Sequence, residues 1–254
     1  MSAAGKIVYL VTGANRGIGY GLAGTLAARP DAIVFAGARD PAAQSLADLV
    51  AKHPNVHPIK FVANDQVNNE AAIAEIKSST GQLDVIIANA GVAKYAGPIA
   101  TTPLSEFKDH WEVNTLGTVV LFQAAQELLL ASPTGAPIFA YISTAGASMA
   151  RFFNLSAAPY TSSKTAANFL IKALDAENPK LIVFALSPGW VQTDMGNSGA
   201  AASGLAEAPV TVEDAVSGIL SRVDGATKEK SSGRFWNFKA GTGPFDIPTD
   251  EVPW

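Results

Sequence analysis

The sequence predicts an α/β fold in which helices cover both faces of one doubly wound parallel sheet of about seven strands. Short apolar runs rich in β-branched residues recur along the chain, and amphipathic segments separate them. The runs are nearly continuous in hydrophobicity, as expected of strands buried on both faces. A glycine-rich turn follows the first run. Together these observations favour β-α-β units joined by right-handed crossovers.

The predicted elements alternate regularly. Six strands are predicted over 6–12, 32–38, 56–62, 84–90, 137–144 and 180–187, with a seventh near 233–239 at the sheet edge. Helices are predicted between them, over 18–28, 41–52, 69–78, 104–131, 160–177 and 212–223. The Gly-, Ala- and Ser-rich run 196–209 departs from this pattern, and we expect a loop at about 193–211 that acts as a substrate lid. Without a linker or repeat, residues 1–254 are predicted to form one domain.

The composition narrows the classes of function. Hydrophobic residues make up 48% and charged residues 16% of the 254, and the net charge of −4 argues against a nucleic-acid or anionic-membrane partner. The chain has no cysteine, which excludes disulfides, thiolate metal sites and a cysteine nucleophile. Its three histidines are too scattered to suggest a metal site, so no metal is expected. We find no signal peptide and no apolar run of roughly 18 residues, and we expect a cytoplasmic protein.

The glycine-rich turn TGANRGIG joins the first predicted strand to the first helix. Gly13, Gly17 and Gly19 have the spacing G-x-x-x-G-x-G, which lets backbone approach a pyrophosphate at the helix N-terminus. A tight strand–helix turn without a ligand would use the same residues. The position of the turn favours nucleotide binding, and with it a sheet of the Rossmann type.

The end of the second predicted strand indicates which dinucleotide is preferred. An NAD site places a carboxylate on the ribose hydroxyls about 20 residues past the glycines. Here the strand ends at Ala38, and Arg39 follows. A guanidinium can hold a 2′-phosphate, and Arg16 in the glycine turn can add a second positive charge. We therefore predict NADP(H) in preference to NAD(H), with a ribose contact from Asp40 as the competing interpretation.

Tyr160 and Lys164 form a candidate catalytic pair. They are four residues apart and would share one face of a helix. A free phenol has a pKa near 10, and a neighbouring ammonium group favours the phenolate and lowers that pKa. Such a phenol can exchange a proton with a carbonyl or alcohol oxygen. An ordinary contact on a helix surface has the same spacing, so other motifs are needed to choose between the two interpretations.

Those motifs resemble the classical short-chain dehydrogenases/reductases along nearly the whole chain. They are TGANRGIG, NAG at 89–91, WEVNTLG, YISTAG, YTSSK and SPGWVQTDM, in the family's order and spacing. Within the family the chain resembles carbonyl-reductase-like and C-factor-like members, which carry TDMG after the sixth strand. The segment VANDQ departs from the family pattern, which puts the register of an adenine contact at Asp65 in doubt by one or two positions.

The resemblance implies a catalytic set of Asn114, Ser143, Tyr160 and Lys164. Ser143 would hydrogen-bond the substrate oxygen beside Tyr160, and Asn114 would hold a water that links Lys164 to solvent. As isolated residues, Ser143 is equally compatible with a strand-end cap and Asn114 with a helix kink. Residues implied in cofactor binding are Gly13, Asn15, Arg16, Gly17, Ile18, Gly19, Arg39, Asp65, Asn89, Ala90, Gly91, Tyr160, Lys164, Pro188, Val191, Thr193 and Met195.

We therefore expect an NADPH-dependent oxidoreductase that reduces a ketone or aldehyde, with Tyr160 as proton donor. The alternatives are an NAD-dependent alcohol dehydrogenase and a non-catalytic NADP(H)-binding regulator. The expected partner is a small carbonyl or alcohol substrate, and monomer, dimer and tetramer all stay open. Four aromatic residues are candidates for an apolar substrate pocket: Tyr95, Phe152, Phe153 and Trp190.

Overall fold

The computed structural model describes residues 3–240 and 249–254. Within them, seven strands form one parallel sheet in the order β3-β2-β1-β4-β5-β6-β7. The strands are β1 Ile7–Thr12, β2 Ala32–Ala38, β3 Val56–Lys60, β4 Val85–Ala88, β5 Ile138–Ile142, β6 Ile182–Ser187 and β7 Phe235–Asn237. The predicted doubly wound sheet, including its seventh strand, is confirmed.

The helices lie between the strands as the sequence pattern predicts. They are α1 Gly17–Ala27, α2 Gln44–Lys52, α3 Gln66–Thr80, α4 Leu104–His110, α5 Gly117–Leu130, α6 Ala158–Glu177, α7 Asp194–Ala202, α8 Val212–Asp224 and α9 Lys228–Ser231. A π-helical segment, Trp111–Leu116, joins α4 to α5 without a break. Short 3₁₀ turns cover Ile99–Thr101 and Ala145–Ala147.

Two apolar layers hold the sheet between them. Alternate residues of β1 enter opposite layers: Val11 packs with α1, α2 and α8, whereas Leu10 packs with α3, α5 and α6. This is the alternation that a strand buried on both faces requires. Strand order reverses between β1 and β4, and in sheets of this kind ligands bind in the crevice beyond the strand ends at that point.

The lid segment is where the structure differs most from the expected elements. The predicted loop is wrong over Asp194–Ala202, which form α7, and Ala200 is buried there. Small side chains make this packing possible, because a Cβ on Gly196 would lie 1.9 Å from the carbonyl oxygen of Val191. Gly196 and Gly199 lower intrinsic helix propensity, which is why the sequence pattern favoured a loop.

One helical stretch passes a test of length and composition for a membrane span, although polar residues interrupt it. The continuous helical stretch Leu104–Leu130 is long and apolar enough to cross a membrane, with a mean hydropathy of 1.2 over 18 residues. Half of that window is buried inside the fold. Phe122 packs against Phe139 of β5 with ring centroids 5.7 Å apart. The apolar face of this stretch is therefore part of the core.

Candidate active site

The glycine turn leaves the start of α1 open. Gly17 has φ of 53°, and a Cβ on Gly19 would lie 2.2 Å from the carbonyl oxygen of Gly13. Only glycine therefore fits this turn without displacing backbone. Arg16 precedes the helix, and no described side chain caps its first N–H groups. Uncapped N–H groups at a helix N-terminus form a favourable site for a phosphate group.

The NAG segment locks the end of β4 onto the end of β1. The Asn89 amide nitrogen donates to the carbonyl oxygen of Thr12 over 2.9 Å. The backbone nitrogens of Asn89 and Ala90 both donate to the Thr12 hydroxyl, over 3.0 and 2.9 Å. Asn89 and Ala90 therefore hydrogen-bond Thr12, the residue just before Gly13 of the glycine turn. The Asn89 side chain points toward the protein.

The two arginines predicted to converge on a 2′-phosphate have different surroundings. Arg16 makes an exposed ion pair with Asp194 of α7, at 3.2 Å. Arg39 is exposed directly after β2. Asp40, the competing ribose ligand, accepts a hydrogen bond from the backbone nitrogen of Ala42 over 3.0 Å. The Asp40 carboxylate therefore stabilises its own turn, while the Arg39 side chain stays free of such a contact with the turn.

Asp65 begins α3 as its N-cap. Its carboxylate accepts a hydrogen bond from the backbone nitrogen of Asn68 over 3.0 Å. This contact satisfies one of the unpaired N–H groups of the helix start. The sequence placed Asp65 against adenine, and that role stays a prediction.

Tyr160 and Lys164 lie one turn apart on α6, as predicted. Lys164 is 4% exposed, and its ammonium donates to the carbonyl oxygen of Ile142 over 2.7 Å. Burial lowers the pKa of Lys164 to about 7. Burial raises the pKa of Tyr160 to about 12, opposed by a hydrogen bond with Thr144. The expected lowering of the tyrosine pKa is therefore reversed in the protein alone, because desolvation outweighs the neighbouring groups.

Two adjacent hydroxyls at the end of β5 face different partners. Ser143 is 2% exposed, and its hydroxyl donates to Oδ1 of Asn168 over 2.7 Å. Thr144 is half-buried, its Oγ1 accepts from the Gly146 nitrogen over 3.3 Å, and its side chain lies near enough to Tyr160 to oppose the rise in the pKa of that phenol. Thr144 therefore contributes a hydroxyl near Tyr160, and the predicted contact of Ser143 with a substrate oxygen stays a prediction. Thr144 and Asn168 are both missing from the predicted set, and the adjacent hydroxyls of YISTAG were the available signal for Thr144.

Asn114 lies in the π-helical segment, and both polar atoms of its side chain have hydrogen-bond partners. Its amide accepts from the Val92 nitrogen over 2.8 Å and donates to the Val92 oxygen over 2.9 Å and to Ser163 Oγ over 3.0 Å. Its own carbonyl oxygen accepts from the hydroxyls of Tyr141 and Thr118, over 3.1 and 3.0 Å. Single π-turns inside helices are frequent at functional sites.

Tyr141 connects Asn114 to Lys164, and sequence reasoning missed it. The Lys164 ammonium lies 4.5 Å from the centre of the Tyr141 ring. Burial raises the pKa of Tyr141 well above its usual range, so its hydroxyl stays a donor. A Cβ on Gly91 would lie 3.1 Å from Asn114 Oδ1 and 3.4 Å from Lys164 Nζ. Gly91, Asn114 and Lys164 therefore converge, as the motifs predicted.

The segment after β6 lies over the glycine turn. A Cβ on Gly17 would lie 3.0 Å from the Thr193 methyl group. Thr193 also caps α7, because its hydroxyl accepts from the Gly196 nitrogen over 3.1 Å. Pro188 and Val191 are buried, whereas Met195 is exposed. Of the predicted cofactor-binding residues after β6, Met195 is the one with an apolar side chain exposed to solvent.

Exposed apolar side chains occur in the segments that leave the carboxyl ends of three strands. They follow β4, β5 and β6, whose ends meet at one edge, and we call them the apolar rim: Ile99, Met149, Phe152, Met195 and Leu205. Of the four predicted pocket aromatics, Phe152 belongs to the rim. Phe153 packs against the core, and the Trp190 indole donates to the Gly196 oxygen over 2.9 Å.

Comparison with known proteins agrees with this geometry. A family model described as short chain dehydrogenase matches residues 7–203. The norsolorinic acid ketoreductase of Dothistroma septosporum is 40% identical over 238 residues, covering 91% of this chain and 89% of its own. That of Aspergillus parasiticus is 39% identical over 240 residues, covering 91% and 88%. The NADPH-bound carbonyl reductase from chicken fatty liver superposes with a TM-score of 0.81 and 30% identity, covering 92% and 97%. The chain belongs to the short-chain dehydrogenase/reductase family of oxidoreductases.

Proposed function

We propose that this oxidoreductase is an NADPH-dependent ketoreductase in which Tyr160 donates a proton to the carbonyl oxygen of a ketone or aldehyde. The observation that carries the proposal is the convergence of Tyr160, Lys164 and Asn114 at the crevice where the uncapped start of α1 also lies. A protein that only bound a dinucleotide would need the open helix start but not a phenol one helical turn from a buried lysine.

The nucleotide side fits NADP(H). The uncapped N–H groups at Gly17 to Gly19 are suited to the pyrophosphate, and Arg39 is suited to a 2′-phosphate. The Asp40 carboxylate already accepts a hydrogen bond from the Ala42 nitrogen, which makes Asp40 a less suitable ligand for the ribose hydroxyls. Bound NADPH would supply the hydride for the reaction. The relative from chicken fatty liver was solved with NADPH bound, which supports this choice of cofactor.

Tyr160 is suited to act as the acid of a reduction. With a pKa raised to about 12, the phenol keeps its proton at neutral pH and can pass it to an oxygen that gains negative charge. Thr144 holds the phenol in place through its hydroxyl. Lys164 stands one turn away, where its ammonium would stabilise the phenolate left after transfer. These properties suit Tyr160 to the role of proton donor.

The apolar rim supports a ketone with apolar substituents as substrate. Five exposed apolar side chains lie in the segments that follow β4, β5 and β6. The relatives from Dothistroma and Aspergillus are ketoreductases of norsolorinic acid by name. We therefore place norsolorinic acid in the substrate panel beside simpler aromatic and aliphatic ketones, aldehydes and quinones.

The proposal is tested by NADPH oxidation across that panel with wild type and Tyr160→Phe. We expect turnover by the wild type and a loss of about 10²-fold or more in kcat for the variant, with NADPH affinity preserved. Tyr9→Phe is the matched control, since it removes a buried phenol hydroxyl that contacts Arg29 near the start of β1. NADPH binding without turnover on any carbonyl would support a regulator instead.

A further inference from the structure

Asn168 is a buried polar side chain to which the mechanism above gives no role. It lies on α6 one turn beyond Lys164 and two turns beyond Tyr160, so the three side chains share one helix face. Asn168 is 3% exposed and contacts Ser143, which is equally buried. A polar pair this deep is costly unless its hydrogen bonds are made.

One half of the Asn168 amide has no partner. Oδ1 accepts the proton of Ser143 over 2.7 Å. Nδ2 is buried, and no group in residues 3–240 or 249–254 accepts a hydrogen bond from it. Buried N–H groups without an acceptor are rarer than carbonyl oxygens without a donor. The arrangement therefore holds an unused donor within reach of Ser143.

Rotation of the amide by half a turn exchanges the two atoms. Nδ2 then takes the position of Oδ1 and donates to Ser143 Oγ, and Oδ1 becomes the atom without a partner. The two states differ in the direction of the Ser143 proton. In the first, Ser143 gives its proton to Asn168. In the second, Ser143 accepts from Asn168 and its own proton is released toward the crevice.

We infer that Asn168 is a positioning residue that sets the direction of the Ser143 proton, donating to Ser143 when a carbonyl substrate binds. Ser143 then donates to the carbonyl oxygen while Thr144, one residue later, holds Tyr160. Two donors thus meet the oxygen on which negative charge develops, which is the arrangement that stabilises an oxyanion. This inference rests on the proposed carbonyl reduction and adds to it the residue that orients the second donor.

Asn168→Asp tests the inference, because an ionised carboxylate of the same shape can only accept. It would hold the Ser143 proton permanently. At pH 8 we expect kcat to fall about 10²-fold, with the dissociation constant for NADPH close to wild type and a lower melting temperature, because the ionised carboxylate is buried. A buried carboxyl group has a raised pKa, and once protonated it can donate to Ser143. The activity of Asn168→Asp should therefore recover as the pH falls.

Asn168→Leu is the matched neutral variant. Leucine has a similar volume and leaves the Ser143 hydroxyl free to rotate, so we expect a smaller loss in kcat without the recovery at low pH. It also keeps the test valid if the buried charge of Asn168→Asp prevents folding. Both changes are repeated in a Ser143→Ala background, where a residue that acts through Ser143 should have no further effect.

The double-mutant cycle decides between a positioning role and a structural one. Equal kcat for Ser143→Ala and for its combinations with either Asn168 variant supports the inference. Losses that multiply with that of Ser143→Ala overturn it, as would wild-type kcat and pH profile in Asn168→Asp. Absence of turnover by the wild type on every carbonyl would remove the proposed function itself. Wild-type turnover with multiplicative losses would remove only the role of Asn168.

Discussion

The nucleotide side of the crevice and the apolar rim differ in how tightly their residues are packed. On the nucleotide side, backbone and buried side chains determine each position: Gly19 has no room for a Cβ, and Asn89 ties β4 to β1. The apolar rim consists of exposed side chains, most of them outside α-helices and strands, such as Phe152 at 79% exposure. Rigid packing is expected where every substrate needs the same cofactor geometry. Exposed loops are expected where specificity varies.

This contrast says where substitutions should act. Changes on the nucleotide side should alter folding or cofactor affinity for every substrate. Changes at the rim should leave both intact and alter the choice of carbonyl. The four predictions below test that separation, from the largest expected effect to the smallest.

Gly19→Ala should have the largest effect. Its Cβ would lie 2.2 Å from the Gly13 carbonyl oxygen, which is backbone and cannot give way. We expect a loss of roughly 1–3 kcal/mol in stability and loss of NADPH binding by fluorescence titration. Gly24→Ala in the same helix is the control, because its Cβ meets Leu49 at an ordinary 3.5 Å. Normal NADPH binding by Gly19→Ala would contradict the close-packed turn.

Arg39→Ala should weaken NADPH selectively. Loss of a charge-assisted contact to the 2′-phosphate predicts a rise of about 10-fold or more in KM for NADPH, with KM for NADH little changed. Arg16→Ala is the comparison, since Arg16 is paired with Asp194. Equal effects of Arg39→Ala on the two cofactors would show that this guanidinium does not contact the 2′-phosphate.

Lys164 should impose a pH dependence on stability. Its pKa is about 7 in the folded protein and near 10.4 when unfolded, so between these values the unfolded chain binds more protons. The free energy of unfolding therefore rises with pH across that window. Relative to Lys164→Met, the wild type should gain on the order of 1–2 kcal/mol from pH 7 to 9 in urea titrations. If the free energy of unfolding depended on pH in the same way for both proteins, the lowered pKa of the buried Lys164 would be contradicted.

Phe152→Ala should have the smallest effect, and it should be confined to substrate choice. An exposed side chain contributes little to folding, so we expect stability within about 0.5 kcal/mol of wild type. KM for bulky apolar ketones should rise several-fold, with little change for small aldehydes. Phe169→Ala removes an equally exposed phenylalanine, at 73%, from α6 and serves as the control. A uniform change for all carbonyls would place Phe152 outside substrate recognition.

Local patterns predicted the parts of the site that depend on sequence spacing. Tyr160 and Lys164 share a face because four residues span about one helical turn. The glycine turn follows β1 because strand hydrophobicity ends where the glycines begin. Neither inference needs a long-range contact, and the structure has both elements where the pattern put them.

Patterns could not predict which partner a side chain faces. Ser143 and Thr144 are adjacent hydroxyls, and only the packing of α6 against β5 brings Asn168 to one and Tyr160 to the other. The direction of the Tyr160 pKa shift also depends on burial, which the sequence does not reveal. The helix α7 formed against local propensity because its small residues fit against Trp190 and Val191.

By itself, the sequence determined the doubly wound parallel fold and the glycine turn, because these follow from hydrophobic periodicity and local geometry, whereas the predicted catalytic set came from the resemblance to the family. The tertiary structure alone decided that Thr144 meets Tyr160, that Asn168 meets Ser143 and that Tyr141 joins Asn114 to Lys164. Those contacts link residues more than 15 positions apart. They exist only once the sheet is assembled and its helices are packed, so no local pattern encodes them.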